Sequence, residues 1–130
     1  MSRIQTVQEI YQAFGRGDVP AILDRLRDDV EWEPELEHYG VPWLKPGRGK
    51  QHVGSFFQTI GAQLTFEAFE PLNLLEGGDQ VAAVIRVRGH ASGRRIDGLE
   101  LHLWTFDAVG KVSALRHFLD THQHVLAAVG

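Results

Sequence analysis

The second half of the chain constrains the fold most. Four stretches, 64–75, 81–90, 97–106 and 112–121, are rich in aliphatic, aromatic and β-branched residues, and only short turn sequences separate them. The turns are Glu76-Gly-Gly-Asp79, the pair Ser92-Gly93, and Asp107-Ala-Val-Gly-Lys111. Gly supplies positive φ and Asp bonds its own backbone, so such sequences reverse the chain. Strands joined this tightly pair antiparallel as hairpins, because a parallel crossover needs about a dozen residues. Pro71 cannot donate to a ladder, which places the first strand at an edge or a bulge.

The first half reads as helices. Ser2 and Gln5 fit a capping box, and Ile4, Val7, Ile10, Tyr11 and Phe14 follow helical spacing. Gly15 and Gly17 end that helix, and Asp18 caps a second one that tolerates Pro20 in its first turn. Val19, Ile22, Leu23 and Leu26 extend it as an apolar stripe. Val30-Glu-Trp-Glu-Pro34 is short and extended. Residues 35–50 are irregular yet hold Tyr39 and Trp43, as a lid or pocket wall would. Val53, Phe56, Phe57 and Ile60 mark a third helix, stopped at Gly61. Three helices before a long meander predict one α+β domain over 1–130, with helices on one face of a curved antiparallel sheet.

Within the third strand, Leu99-Glu-Leu-His-Leu-Trp-Thr-Phe106 alternates strictly. One face carries Leu99, Leu101, Leu103 and Thr105. The other carries Glu100, His102, Trp104 and Phe106. An imidazole titrates near neutral pH, so His102 is a candidate general acid or base.

Composition narrows the function classes. The chain is 43% hydrophobic and 23% charged, as a globular protein is. It has no cysteine, which excludes disulfides and thiolate metal sites. The start Met-Ser-Arg-Ile-Gln-Thr lacks an apolar signal core, and no apolar run nears the roughly 20 residues of a membrane span. A cytoplasmic protein without membrane contact is expected. A formal charge of −4 argues against nucleic acid. The acids of 24–37 and the bases of 46–50 read as solvated surface.

Three pieces carry a family resemblance: Tyr11-Gln-Ala-Phe-Gly-Arg-Gly-Asp18, Asp28-Asp-Val-Glu-Trp-Glu-Pro34, and the hairpin from Phe106 to Val112 leading into Arg116-His-Phe-Leu-Asp-Thr121. Their order and spacing resemble the nuclear transport factor 2-like superfamily, and within it the SnoaL-like polyketide cyclases and ketosteroid isomerases. The resemblance implies a cone-shaped barrel: a strongly curved sheet wrapped around three N-terminal helices, one deep apolar pocket, and a homodimer formed through the sheet. It also implies that Glu33, before Pro34, stands where the isomerases keep their general base. His102, nine residues before Lys111, stands where they keep a protonated aspartate, a carboxyl held neutral by its apolar surroundings. Their helix-1 tyrosine falls on Ile10, which puts Tyr11 about 100° away around the helix. Glu100-Leu-His102 is not the Arg-x-Asp pair of the limonene-epoxide hydrolases. The cyclases' last-strand aspartate is matched by Asp120.

The expected site therefore has His102, Asp120 and Glu33 as catalytic residues. Trp43, Trp104, Tyr39, Phe14 and Glu100 line a cavity for a small hydrophobic ligand, and neither cofactor nor metal is called for. On a strand, His117 and Asp120 face apart, so only one of them meets the pocket. His122 and His124 read as solvated tail residues, and Arg86 and Arg88 as exposed strand positions. The activity implied is cofactor-free acid–base isomerisation, cyclisation or hydrolysis. The alternative is a binding or dimerisation module of the same fold without catalysis.

Overall fold

A computed structural model describes residues 1–37 and 39–129. Helix α1 spans Arg3–Gly15, and the capping box forms: Gln5 N donates to Ser2 Oγ at 3.1 Å and Ser2 N donates to Gln5 Oε1 at 2.8 Å. Val7, Ile10 and Ala13 are its buried stripe. Helix α2 is one short turn, Val19–Leu23, capped by Asp18 Oδ1, which accepts from Ala21 N at 3.2 Å. Leu26 does not prolong it but opens strand β1, Leu26–Trp32. Leu26 is buried in that strand, so the burial that completes a helical stripe does not require a helix.

After a 3-10 turn at Pro42–Leu44 and the two-residue strand β2, Gly47–Arg48, helix α3 runs Lys50–Gln63. It passes through Gly61, which has open space around it and no positive φ forcing a stop. Strands β3, Thr65–Gly77, β4, Gln80–Ala91, β5, Arg94–Phe106, and β6, Val112–Phe118, form the meander. The last strand ends at Phe118, short of the expected 121, and the chain enters an unexpected helix, α4, Thr121–Val129.

The strands make one sheet in the order β2-β1-β6-β5-β4-β3. Every neighbouring pair is antiparallel except β1 and β6, which run parallel, with Trp32 opposite Leu115. Turn lengths could not reveal this pairing, because β1 and β6 are joined by a long route through α3 and the meander. The sheet is open, with β2 and β3 at its edges, and Pro71 lies in edge strand β3 beside a register shift between Pro71 and Asn73.

Further shifts between Phe66 and Ala68 and between Thr105 and Phe106 let the strands bend around the helices. β3 comes close to β4 at Gly89, where a Cβ would stand 2.1 Å from the Thr65 carbonyl oxygen. β4 alternates cleanly, with Val81, Ala83, Ile85 and Val87 buried against α1 and β1 side chains in one core. Each of the larger side chains contributes roughly 1.5–3 kcal/mol by leaving water. The result, among the described residues, is a mixed α+β fold of four helices and six strands, the cone arrangement expected. Among the described residues, no helix is long and apolar enough to cross a membrane.

Candidate active site

The concave side of the sheet holds a cavity of about 70 Å³ between α1, α3 and the strands. Its walls are mostly aromatic and aliphatic, with Phe14, Phe56, Phe57, Phe66, Phe69, Trp32, Trp43 and Trp104 all bordering it. This volume is far below the ~300–1,000 Å³ of a drug-sized ligand site, so the occupant is small or enters as the walls shift. Tyr11, Phe14, Phe66 and Phe69 also border an open groove between α1 and β3.

The polar side chains at the cavity are Thr65, His90 and one connected group, Tyr11, Glu100, His102, His117 and His124. β5 presents Glu100 and His102 on one face, as the alternation of 99–106 requires, and that face is the inner one. Leu99, on the other face, is 58% exposed. Nε1 of Trp104 donates to Tyr11 Oη at 2.9 Å, and Tyr11 Oη lies 2.8 Å from His102 Nδ1. His102 Nε2 lies 3.2 Å from Glu100 Oε1. The other oxygen of Glu100 is 3.4 Å from His124 Nε2, and Trp43 Nε1 donates to His124 Nδ1 at 2.8 Å. Helix α4 brings in His124, and the 3-10 turn brings in Trp43.

A second cluster stands beside the first. His117 lies opposite His102 across β5 and β6. Glu33 Oε1 accepts from the His117 backbone N–H at 2.7 Å and stands 3.2 Å from its ring Nδ1. Glu33 is fully buried, and its Oε2 has no partner among the described residues. His117, not Glu33, borders the cavity, and its Nε2 has no hydrogen-bond partner among the described residues.

The environment drives the two rings apart in proton affinity. Burial, reinforced by the nearby charge of His117, pushes His102 from its ordinary 6.5 down to about 4, against the pull of Glu100. Burial also acts to lower His117, but the charge and hydrogen bond of Glu33 outweigh it and hold His117 above its ordinary value. Burial acts to raise Glu100, yet the hydrogen bonds from His102 and His124 overcome it and leave the carboxyl well below the usual range. Burial raises Tyr11, and the Trp104 N–H offsets only part of that.

Of the residues expected from sequence, Phe14, Trp43, Trp104, Glu100 and His102 border the cavity, and Glu33 lies behind His117. Two stand away from it. Asp120 is exposed, and its Oδ1 accepts from Gln123 N at 3.2 Å as the cap of α4, because the strand has already ended at Phe118. Tyr39 is 53% exposed and donates to Glu37 Oε2 at 3.2 Å on the outside of its loop. Arg86 and Arg88 lie on the outer face beside Asp97. His122 is exposed on α4, and among the described residues no side-chain group is arranged to hold a metal.

Three residues of the connected polar group are not expected there from sequence: His117, His124 and Tyr11. Strand alternation does not decide between His117 and Asp120. His124 reads as a tail residue, although Asp120-Thr-His-Gln123 has the spacing of a helix start. Helical spacing turns Tyr11 away from the position of Ile10, but the cavity wraps around α1, so Ile10, Tyr11 and Phe14 all border it.

An open, curved sheet packed over helices around a buried aromatic cavity defines a protein of the nuclear transport factor 2-like class. The chain belongs to the SnoaL-like domain family, whose model matches residues 7–115. It is similar to an NTF2-like protein of unknown function from Burkholderia pseudomallei, with 27% identity, TM-score 0.84 and 100% of each chain covered. An NTF2-like protein from Burkholderia thailandensis is also 27% identical, with TM-score 0.83, 98% of this chain and 97% of that one covered. TerC, crystallised with polyporic acid, shares the fold at 23% identity and TM-score 0.80, with 98% of both chains covered. No curated protein matches the chain.

Proposed function

We propose that the protein is a cofactor-free acid–base enzyme of the isomerase or cyclase type, acting on a small hydrophobic carbonyl compound in the aromatic cavity. The observation that carries this reading is His117: it borders the cavity, its Nε2 has no partner among the described residues, and Glu33 stands against its Nδ1. An imidazole backed by a carboxylate favours its protonated form and donates to an oxygen that gains negative charge. Glu33 thus acts through His117 and does not touch substrate. His102, with the opposite proton affinity, serves the proton-accepting side. Asp120 has no part in the chemistry.

A homodimer formed through the outer sheet face, in the cytoplasm, belongs to the same reading. Leu75, Leu99 and Phe118 are exposed on that sheet, and the half-buried Leu101 and Leu103 continue the apolar face.

The test is hydrogen–deuterium exchange at the carbon next to the carbonyl, with cyclopentanone and 2-indanone as probes in D2O. Exchange above background, lost in His117→Gln, supports the reading. A wild-type protein that exchanges neither ketone contradicts it and favours a module that only binds.

A further inference from the structure

The hydrogen bonds around Glu100 have a direction, and the two tryptophans set it. An indole N–H can only donate. Trp104 donates to Tyr11 Oη, and among the described residues the tyrosine's own proton has one acceptor in reach, His102 Nδ1 at 2.8 Å. His102 then carries its proton on Nε2 and gives it to Glu100 Oε1. From the opposite end, Trp43 donates to His124 Nδ1, which leaves the His124 proton on Nε2 for Glu100 Oε2. Both arms converge on one buried carboxylate, whose side chain is 11% exposed. Each ring nitrogen of His102 and His124 is in use. Tyr11 borders the cavity, and its hydroxyl oxygen keeps acceptor capacity beyond the Trp104 bond.

We propose that Tyr11, His102 and Glu100 form a hydroxyl–imidazole–carboxylate relay, and that Tyr11 Oη is the atom that removes a proton from carbon in an enolisable ketone. This rests on the acid–base reading above and names its proton acceptor. As the carbon–hydrogen bond breaks, its proton goes to Tyr11 Oη and the tyrosine's own proton goes to His102 Nδ1. The electron pair left on carbon enters the carbon–carbon bond of an enolate, and the enolate oxygen accepts from His117 Nε2–H. His102 is then an imidazolium between Tyr11 and the Glu100 carboxylate. Reversal returns a proton to the same carbon or to its conjugated neighbour, and nothing else is consumed.

The relay explains why a buried tyrosine can act as a base. No free phenolate has to form, because the positive charge appears on His102 next to Glu100, while the Trp104 N–H steadies the developing charge on oxygen. His124 and Trp43 are positioning residues. They hold the second oxygen of Glu100 so that the carboxylate stays ionised and cannot swing from His102.

The experiment uses the full chain with cyclopentanone and 2-indanone in D2O, together with nitrogen-15 spectra of labelled histidine rings. In the wild type at pH 7, His102 and His124 are expected to show a protonated Nε2 and a bare Nδ1. Tyr11→Phe is expected to lose exchange by about 100-fold or more, the scale of a general base. His102 protonated at Nδ1 overturns the relay, and that spectrum needs no variant to fold. Folded Tyr11→Phe exchanging at the wild-type rate also overturns it. If His117→Gln loses exchange and Tyr11→Phe keeps it, the acid–base reading stands and the relay alone falls. If the wild type exchanges neither ketone, that reading fails and the relay falls with it.

Discussion

The rings of His102 and His117 meet edge to face across β5 and β6, with centroids 4.4 Å apart and 72° between planes. Their partners push them in opposite directions, and stability must follow. The folded pKa of His102, about 4, lies below its ordinary 6.5. Between those values the unfolded chain binds a proton that the folded chain does not, so stability rises with pH there, by up to about 3 kcal/mol. His117 behaves inversely, since its folded pKa is raised. Its contribution is complete below 6.5 and fades as pH climbs through the folded value. Urea unfolding should therefore show greatest stability near pH 6.5, with both flanks lower. His102→Gln should flatten the acid flank and His117→Gln the alkaline one. A profile indifferent to either substitution would contradict the assigned environments.

Gly89 should tolerate no side chain. A Cβ there meets the Thr65 carbonyl oxygen at 2.1 Å and Phe66 Cα at 3.2 Å, all backbone, so β3 and β4 would have to part. Gly89→Ala is expected to cost about 2–4 kcal/mol. Gly98→Ala, on β5 with nothing within 4 Å of its Cβ, should change stability by less than about 1 kcal/mol. Equal losses in chemical denaturation would show that the close approach of β3 is not what Gly89 serves.

Asp120→Ala separates a helix cap from a catalytic group. Loss of the bond to Gln123 N should cost about 1 kcal/mol of stability. Ketone exchange should remain at the wild-type rate. A large fall in exchange, with the fold retained, would return Asp120 to the chemistry.

The outer sheet face is expected to lie between two copies. Leu99 is 58% and Phe118 45% exposed, and a lysine at either place would put a charge into an apolar contact. Sedimentation of the wild type should report a dimer, and Leu99→Lys with Phe118→Lys a folded monomer. A monomeric wild type would overturn the dimer.

Strict alternation over 99–106 made the two faces of β5 legible but not which of them is the core; the family resemblance pointed to the face of His102, Trp104 and Phe106, which is the buried one, with Leu99 outside. The hairpin order was legible from its turns for the same local reason. Glu33 is different. Alternation after buried Trp32 would aim it outward, but the backbone takes φ +56° at Glu33 and +66° at Glu35, and this turn brings the Glu33 carboxylate inward. Positive φ at a glutamate is unusual, and no pattern of acids announces it. Tyr11 shows a further limit. A 100° offset matters against a flat sheet and far less inside a cone, where walls stand around the helix. The partnership of His124, Glu100 and Trp43 joins residues far apart in the chain, so only the folded molecule brings them together.

Nuclear magnetic resonance titration of the histidine rings tests the poised pair of imidazoles most directly. His102 should stay neutral until the pH nears 4, and His117 should stay protonated beyond 6.5. In Glu33→Gln, His117 should lose its proton at lower pH, while His102 keeps its tautomer. If both rings titrate together near 6.5, or if Glu33→Gln leaves His117 unmoved, the cavity holds no acid opposed to a base, and the proposed chemistry fails.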